Sequence, residues 1–224
     1  MKDEITGILQ ATRREGIEDL INFLDTSDFY SAPCSTKFHL AQPGGLAQHT
    51  LNVITCATEI NKKYEYPCPA ESVVIAALGH DLCKVNFYVE DNEAPTDAQI
   101  IYLRSLCQKA NVQIPNKLNK SYANTCIDHL KSMKRPPLPK MTLSYTVKDQ
   151  LPLGHGEKSL YIVQQFIKLT PEEALAIRWH MACFDAGIHF PYPSGYAYRE
   201  AIKKSKLVSI IILADIEASN LMEV

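Results

Sequence analysis

Three helical stretches of this chain carry ionisable groups on the face that their apolar residues mark as buried, and this constrains the fold more than any other feature. In 46–64 the stripe of Leu46, Val53, Ile54, Ala57 and Ile60 has the spacing of a buried helix face, and His49 lies on it. In 70–84, Val73, Ala77, His80, Asp81 and Lys84 share one face, and near the end of the chain Val208, Ile211, Ile212 and Asp215 do the same. An inward carboxylate without a partner costs on the order of several kcal/mol. A helical bundle that collects two acids and several imidazoles in its interior offsets that cost best with a cation among them. Neutral imidazole and carboxylate are the usual donors to such ions.

The rest of the pattern is also helical. Residues 3–25 have helical spacing interrupted at Gly16, 33–45 read as a loop, and Pro67 and Pro69 break the chain before the second inward-facing stretch. Residues 90–139 read as a helical insertion. One of its helices starts after Thr96, with Gln99 completing a capping box, and another covers 117–134 before Pro136, Pro137 and Pro139. The β candidate is 141–153, where Leu143, Tyr145 and Val147 alternate, and we read it as a short hairpin. A helix over 157–169 precedes a strong start signal, Thr170 as N-cap, Pro171 and Glu173. A loop at 190–198 leads to a last helix over 199–220. The expected fold is all-α, one domain over 1–224 with its core at about 38–220, a short β-hairpin and a helical insertion at about 90–139.

With 46% hydrophobic and 21% charged residues, the 224-residue chain is neither disordered nor membrane-embedded in character. No stretch approaches the roughly 18 continuous apolar residues of a membrane span, and the opening Met1-Lys2-Asp3-Glu4 lacks the apolar core of a signal peptide. Seven scattered cysteines without a Cys-x-x-Cys pair indicate neither a disulfide framework nor a zinc ribbon, so the expected compartment is the cytoplasm. A net charge of −2 gives no global field for nucleic acid. Lys117, Lys120, Lys131, Lys134 and Arg135 form a local basic stripe without interleaved aromatics, which reads as a solvated face.

The inward-facing residues resemble the His…His-Asp…Asp signature of the HD superfamily of metal-dependent phosphohydrolases. His49 stands in Gly-Gly-Leu-Ala-Gln-His-Thr, a wording similar to the HD domains of bacterial 3′–5′ exoribonucleases. His80-Asp81-Leu82-Cys83-Lys84 resembles the family's His-Asp-x-x-Lys run with Cys83 where Gly is more usual, and Asp215 follows Leu213-Ala214. Gly154-His155 and His180, in Ile-Arg-Trp-His-Met, are similar to two further histidines of the two-metal members. The exoribonucleases carry an OB domain for which this chain has no room, so the whole chain looks more like stand-alone HD proteins of bacteria and phages.

The resemblance implies metal ligands His49, His80, Asp81, His155, His180 and Asp215, with Asp81 bridging two divalent ions. The ions implied are transition metals (Mn, Fe, Ni, Co or Zn), with Mg as a harder alternative. Asp81 and Lys84 are the expected catalytic residues, Lys84 neutralising phosphoryl charge. Lys158, Asp185 and Tyr198 are weaker candidates for substrate contact, His39 is unassigned, and Arg178, His129 and His189 read as structural. The expected activity is hydrolysis of a phosphoester in a nucleotide or similar small molecule. The alternatives are a nuclease acting on RNA or single strands, and a nucleotide-binding module without turnover.

Overall fold

The computed structural model describes all residues except 37, 66, 133–136, 140–142, 185–193 and 224. Among the described residues it is all-α apart from one two-stranded sheet, as the periodicity predicted. The chain divides into two compact units, Met1–Tyr88 with Lys148–Val224, and Val89–Val147. No helix among the described residues is long and apolar enough to cross a membrane.

The first unit begins with α1 (Lys2–Ala11) and α2 (Ile17–Thr26), followed by α3 (Gly45–Lys62) and α4 (Ala70–Gly79). After the second unit come α7 (His155–Val163), α8 (Pro171–Trp179), α9 (Ser194–Lys204) and α10 (Lys206–Glu217). α4 is buried along nearly its whole surface, from Ser72 and Val73 through Ile75 to Gly79, as expected of a helix that is apolar all round. It packs against α3 and α8, while α10 crosses both α3 and α8. Leu46, Val53, Ile75, Ile177, Val208 and Ile211 are among the side chains that fill the space between them.

The capping box read at Thr170 is present, and Glu173 does more than cap. Its carboxylate is buried, accepts from Ser72 at 2.7 Å and pairs with Arg14, fastening the start of α8 to α4 and to the turn before α2.

The second unit holds β1 (Tyr88–Glu90) except for Tyr88, which ends the preceding stretch of the first unit, together with α5 (Asp97–Lys109), α6 (Lys120–Lys131) and β2 (Tyr145–Val147). Its small core is Leu103, Cys107, Ala123, Cys126 and Ile127. The Thr96–Gln99 capping box is formed as expected. β2 falls in the predicted β segment, and its partner is β1 at the other end of the unit.

Several boundaries differ from the sequence reading: α7 ends at Val163 rather than at 169, and α6 covers Lys120–Lys131 rather than 117–134. α4 stops at Gly79, and residues 82–84 form a 3-10 turn, because Asp81 leaves helical geometry (φ −112°, ψ 14°). The last helix is two, since Ser205 adopts an extended conformation between α9 and α10. α9 also takes up 194–198, which the sequence assigned to a loop.

Candidate metal centre

The end of α4 builds the middle of the site. His80 donates from Nδ1 to the carbonyl of Ala77 at 2.6 Å, which fixes the ring and turns Nε2 toward the interior, where it meets His49 Nε2 at 3.2 Å. α8 ends the same way: His180 Nδ1 lies 2.8 Å from the carbonyl of Ile177, with Nε2 facing inward. On α3, His49 is oriented by Glu223, whose carboxylate lies 3.0 Å from Nδ1 and also accepts from Asn52 at 2.8 Å. Three imidazoles thus present Nε2 to one space, each held through its other nitrogen.

Asp81 stands between them and divides its oxygens. Oδ2 lies 3.5 Å from Nε2 of both His49 and His80, and His49 Nε2 is 3.3 Å from Asp215 Oδ1. Oδ1 lies 2.7 Å from His155 Nε2 and 3.8 Å from His180 Nε2. All six residues anticipated as ligands are therefore gathered around one carboxylate. His49, His80 and Asp81 also satisfy the geometry of a metal-holding cluster, as do Asp81, Cys83 and His155.

Whether these residues suit a cation can be tested on His180. Its Nε2 is buried and has no hydrogen-bond partner, an arrangement that leaves a lone pair unused at a cost of about 1–3 kcal/mol. Burial, reinforced by His80 and His155, pushes its pKa down to about 3, so the ring stays neutral. Burial holds His80 below its ordinary value as well. A neutral imidazole aimed beside a carboxylate is what a divalent ion requires. Buried His and Asp side chains here can hold a metal ion.

The other groups supply the charge. Asp81 is held well below the usual carboxylate range, since Lys84, His80 and His155 overcome the opposing effect of burial. Asp215 falls to about 2 against the same opposition, through His49 and His80. His49 resists burial through Asp215 and Glu223 and rises to about 9. His155 rises to about 10, burial being outweighed by Cys83 and Asp81.

A cavity of about 310 Å³ opens on the centre. Asp81, Lys84, His155, His180 and Asp215 reach its wall, whereas His49 and His80 lie behind them. His155 and Asp215 are the accessible ligands, with side chains 32% and 23% exposed against at most 4% for the other four. Lys84 lies on the wall with its ammonium 2.6 Å from Asp81 Oδ2 and 3.4 Å from the Cys34 thiol. Burial opposes that charge, but Asp81 and Cys34 hold it well above the ordinary lysine value.

Two weaker candidates are placed elsewhere. Lys158 is buried, paired with Asp149 and set over the ring of Phe87 at 4.7 Å, so it has no free charge for a substrate. Tyr198 packs against Trp179 at 5.9 Å between ring centroids, away from the cavity wall. Asp185 and His189 lie outside the described residues. Arg178 pairs with Glu157 and stacks on Trp179 at 3.9 Å, in keeping with its structural reading.

Sequence reasoning missed Glu223 and Asn52, and gave no role to Cys34 and His39, whose side chains meet at 3.3 Å beside Lys84 on the cavity wall. Asn52, three residues after His49 on one helix, carried a usable signal. Glu223, beyond the last apolar periodicity, carried none. In comparison with known proteins, the chain matches no family model, no curated protein and no solved structure.

Proposed function

We propose that the chain is a metal-dependent phosphohydrolase of the HD type, acting on a phosphoester of a nucleotide or comparable small molecule. One observation carries this reading, the division of Asp81 between two sets of histidines. Asp81 Oδ2, His49, His80 and Asp215 would hold one divalent ion, and Asp81 Oδ1, His155 and His180 a second. A bound pair of such ions supplies a nucleophile from water near neutral pH and a clamp on phosphoryl oxygens.

The chain's own groups do the rest. Asp81 holds both halves of the site at a fixed separation, and the carbonyls of Ala77 and Ile177 keep His80 and His180 from turning. His155 and Asp215, at the accessible edge, define the side from which substrate arrives. Lys84 is the one lysine or arginine among the described residues of the cavity wall, placed to offset charge on a phosphoryl oxygen. Met181, Ile212 and Ile216 give that wall an apolar stretch that limits bulk water. A cavity of about 310 Å³ with one such cation suits a small monophosphorylated ligand better than a polyanionic strand.

The test is hydrolysis of nucleoside monophosphates, triphosphates, cyclic nucleotides and a short RNA, with Mn²⁺, Co²⁺, Ni²⁺, Fe²⁺ or Zn²⁺ supplied to metal-free protein. Activity that appears with metal and vanishes in Asp81→Asn, a variant of the same shape without the charge, supports the reading. Full activity in Asp81→Asn, or none on any phosphoester, rejects it.

A further inference from the structure

The residue two places beyond Asp81 has a role that neither the periodicity nor the histidine set assigns. Cys83 is buried in the 3-10 turn after α4, and its backbone N–H is tied to Ser159 Oγ of α7 at 3.1 Å. This tie sets the thiol against the first turn of the helix that carries His155. Cys83 Sγ lies 3.4 Å from each ring nitrogen of His155, and donor atoms of Asp81, Cys83 and His155 all fall within 4.8 Å of one another. His155 Nε2 is 2.7 Å from Asp81 Oδ1, and the unpartnered His180 Nε2 is 3.8 Å from the same oxygen.

Donors bound to a cation at about 2.0–2.3 Å with tetrahedral angles stand roughly 3.3–3.6 Å apart. The spacings around Asp81 Oδ1 straddle that range, while the thiol, equidistant from both nitrogens of His155, lies across the ring and would turn toward Nε2 to reach the same ion. We propose that Cys83 is a thiolate ligand of the second metal position, completing a set of one sulfur, two imidazoles and one carboxylate oxygen. The thiol proton leaves to solvent as the metal–sulfur bond forms. A sulfur donor makes this position selective for thiophilic divalent ions, Zn²⁺, Fe²⁺ or Co²⁺, over Mg²⁺. The assignment rests on the two-metal reading above and narrows the class of ion it takes. Cys34, the other cysteine beside the cavity among the described residues, lies instead against the Lys84 ammonium and His39, and groups with His39 and His49 rather than with His155.

Titration of the metal-free chain with Co²⁺, followed by absorption and elemental analysis, tests this. The expected result is two equivalents bound and a near-ultraviolet sulfur-to-cobalt charge-transfer band. Cys83→Ser should lose the band and weaken one equivalent at least about tenfold, whereas Cys34→Ser keeps both. Two equivalents with no sulfur band, or a band that survives Cys83→Ser, overturn the assignment and leave the two-metal reading standing. A single equivalent whose band is lost in Cys83→Ser supports the ligand and removes the two-metal reading. Uptake of no metal overturns both. Should Cys83→Ser fail to fold, X-ray absorption of the zinc-loaded chain decides the matter. A sulfur neighbour at about 2.3 Å that persists in Cys34→Ser and Cys183→Ser supports Cys83, and its absence or loss overturns it.

Discussion

Lys84 sits on the oxygen that a first metal would use. Its ammonium pairs with Asp81 Oδ2, the same atom that faces His49 and His80, so lysine and ion compete for one carboxylate. Lys84→Met should therefore bind metal at least as tightly as the parent, while kcat falls by about 10²–10³ with little change in KM. A variant that loses its metal would make Lys84 a structural support, and one with full activity would remove it from the chemistry. A second expectation concerns pH. His49 and His155 rise to about 9 and about 10 in the metal-free chain, so both carry protons at neutral pH that ligation must displace. Apparent metal affinity should thus climb with pH and level off above about pH 10, with protons released on binding. Calorimetry in buffers of different ionisation enthalpy would measure the release, and affinity flat from about pH 6 to pH 9 would count against these ligands. At this scale the sequence spoke clearly where a charged residue interrupts an apolar stripe, as at His49, His80, Asp81 and Asp215. It was silent about Glu223, Cys34 and His39, which lie in segments without periodicity and reach the site only through tertiary folding.

Helix ends, more than helices, make this site. α4 and α8 finish alike: a histidine after the last turn, its Nδ1 at the carbonyl three residues back, then a 3-10 turn at Leu82–Lys84 or Ala182–Phe184. One end supplies Asp81 next to its histidine and the other Met181, so a single geometry is used once with a charge and once without. The caps at Thr96 and Thr170 were legible because capping depends on neighbours in sequence. The stop after Gly79 and the break at Ser205 were not, because no proline marks either and apolar residues continue past both. What sets the spacing of His155 and His180 is Gly156. A Cβ there would lie 2.1 Å from the carbonyl oxygen of Arg178, a backbone atom that can move only with α8. Gly156→Ala should force α7 and α8 apart at a cost of about 1–3 kcal/mol. It should also deplete the second metal more than the first. Metal content per chain against helical content by circular dichroism would show this, and an unchanged pair of equivalents would refute it.

For the whole molecule, the question is what 89–147 contributes. The first unit contains every candidate ligand together with the cavity wall, and the second has its own small core. The Lys148 N–H donates to the Phe87 carbonyl at 2.9 Å, so the points where the first unit is interrupted are already adjacent. Replacing 89–147 with a short glycine-rich linker should leave a folded helical chain with the parent's metal content, readable by thermal melting and elemental analysis. Loss of folding would show that the second unit is part of the core's stability. The same adjacency bears on how the chain finds its structure. The second unit is zipped at its base by β1 and β2, strands from its two ends. Each doubling of an open loop costs only about 0.6 kcal/mol, and a segment that closes itself first spares the rest even that. α4 and α7 can then meet as though joined by a short turn, and the length between them ceases to be a kinetic obstacle.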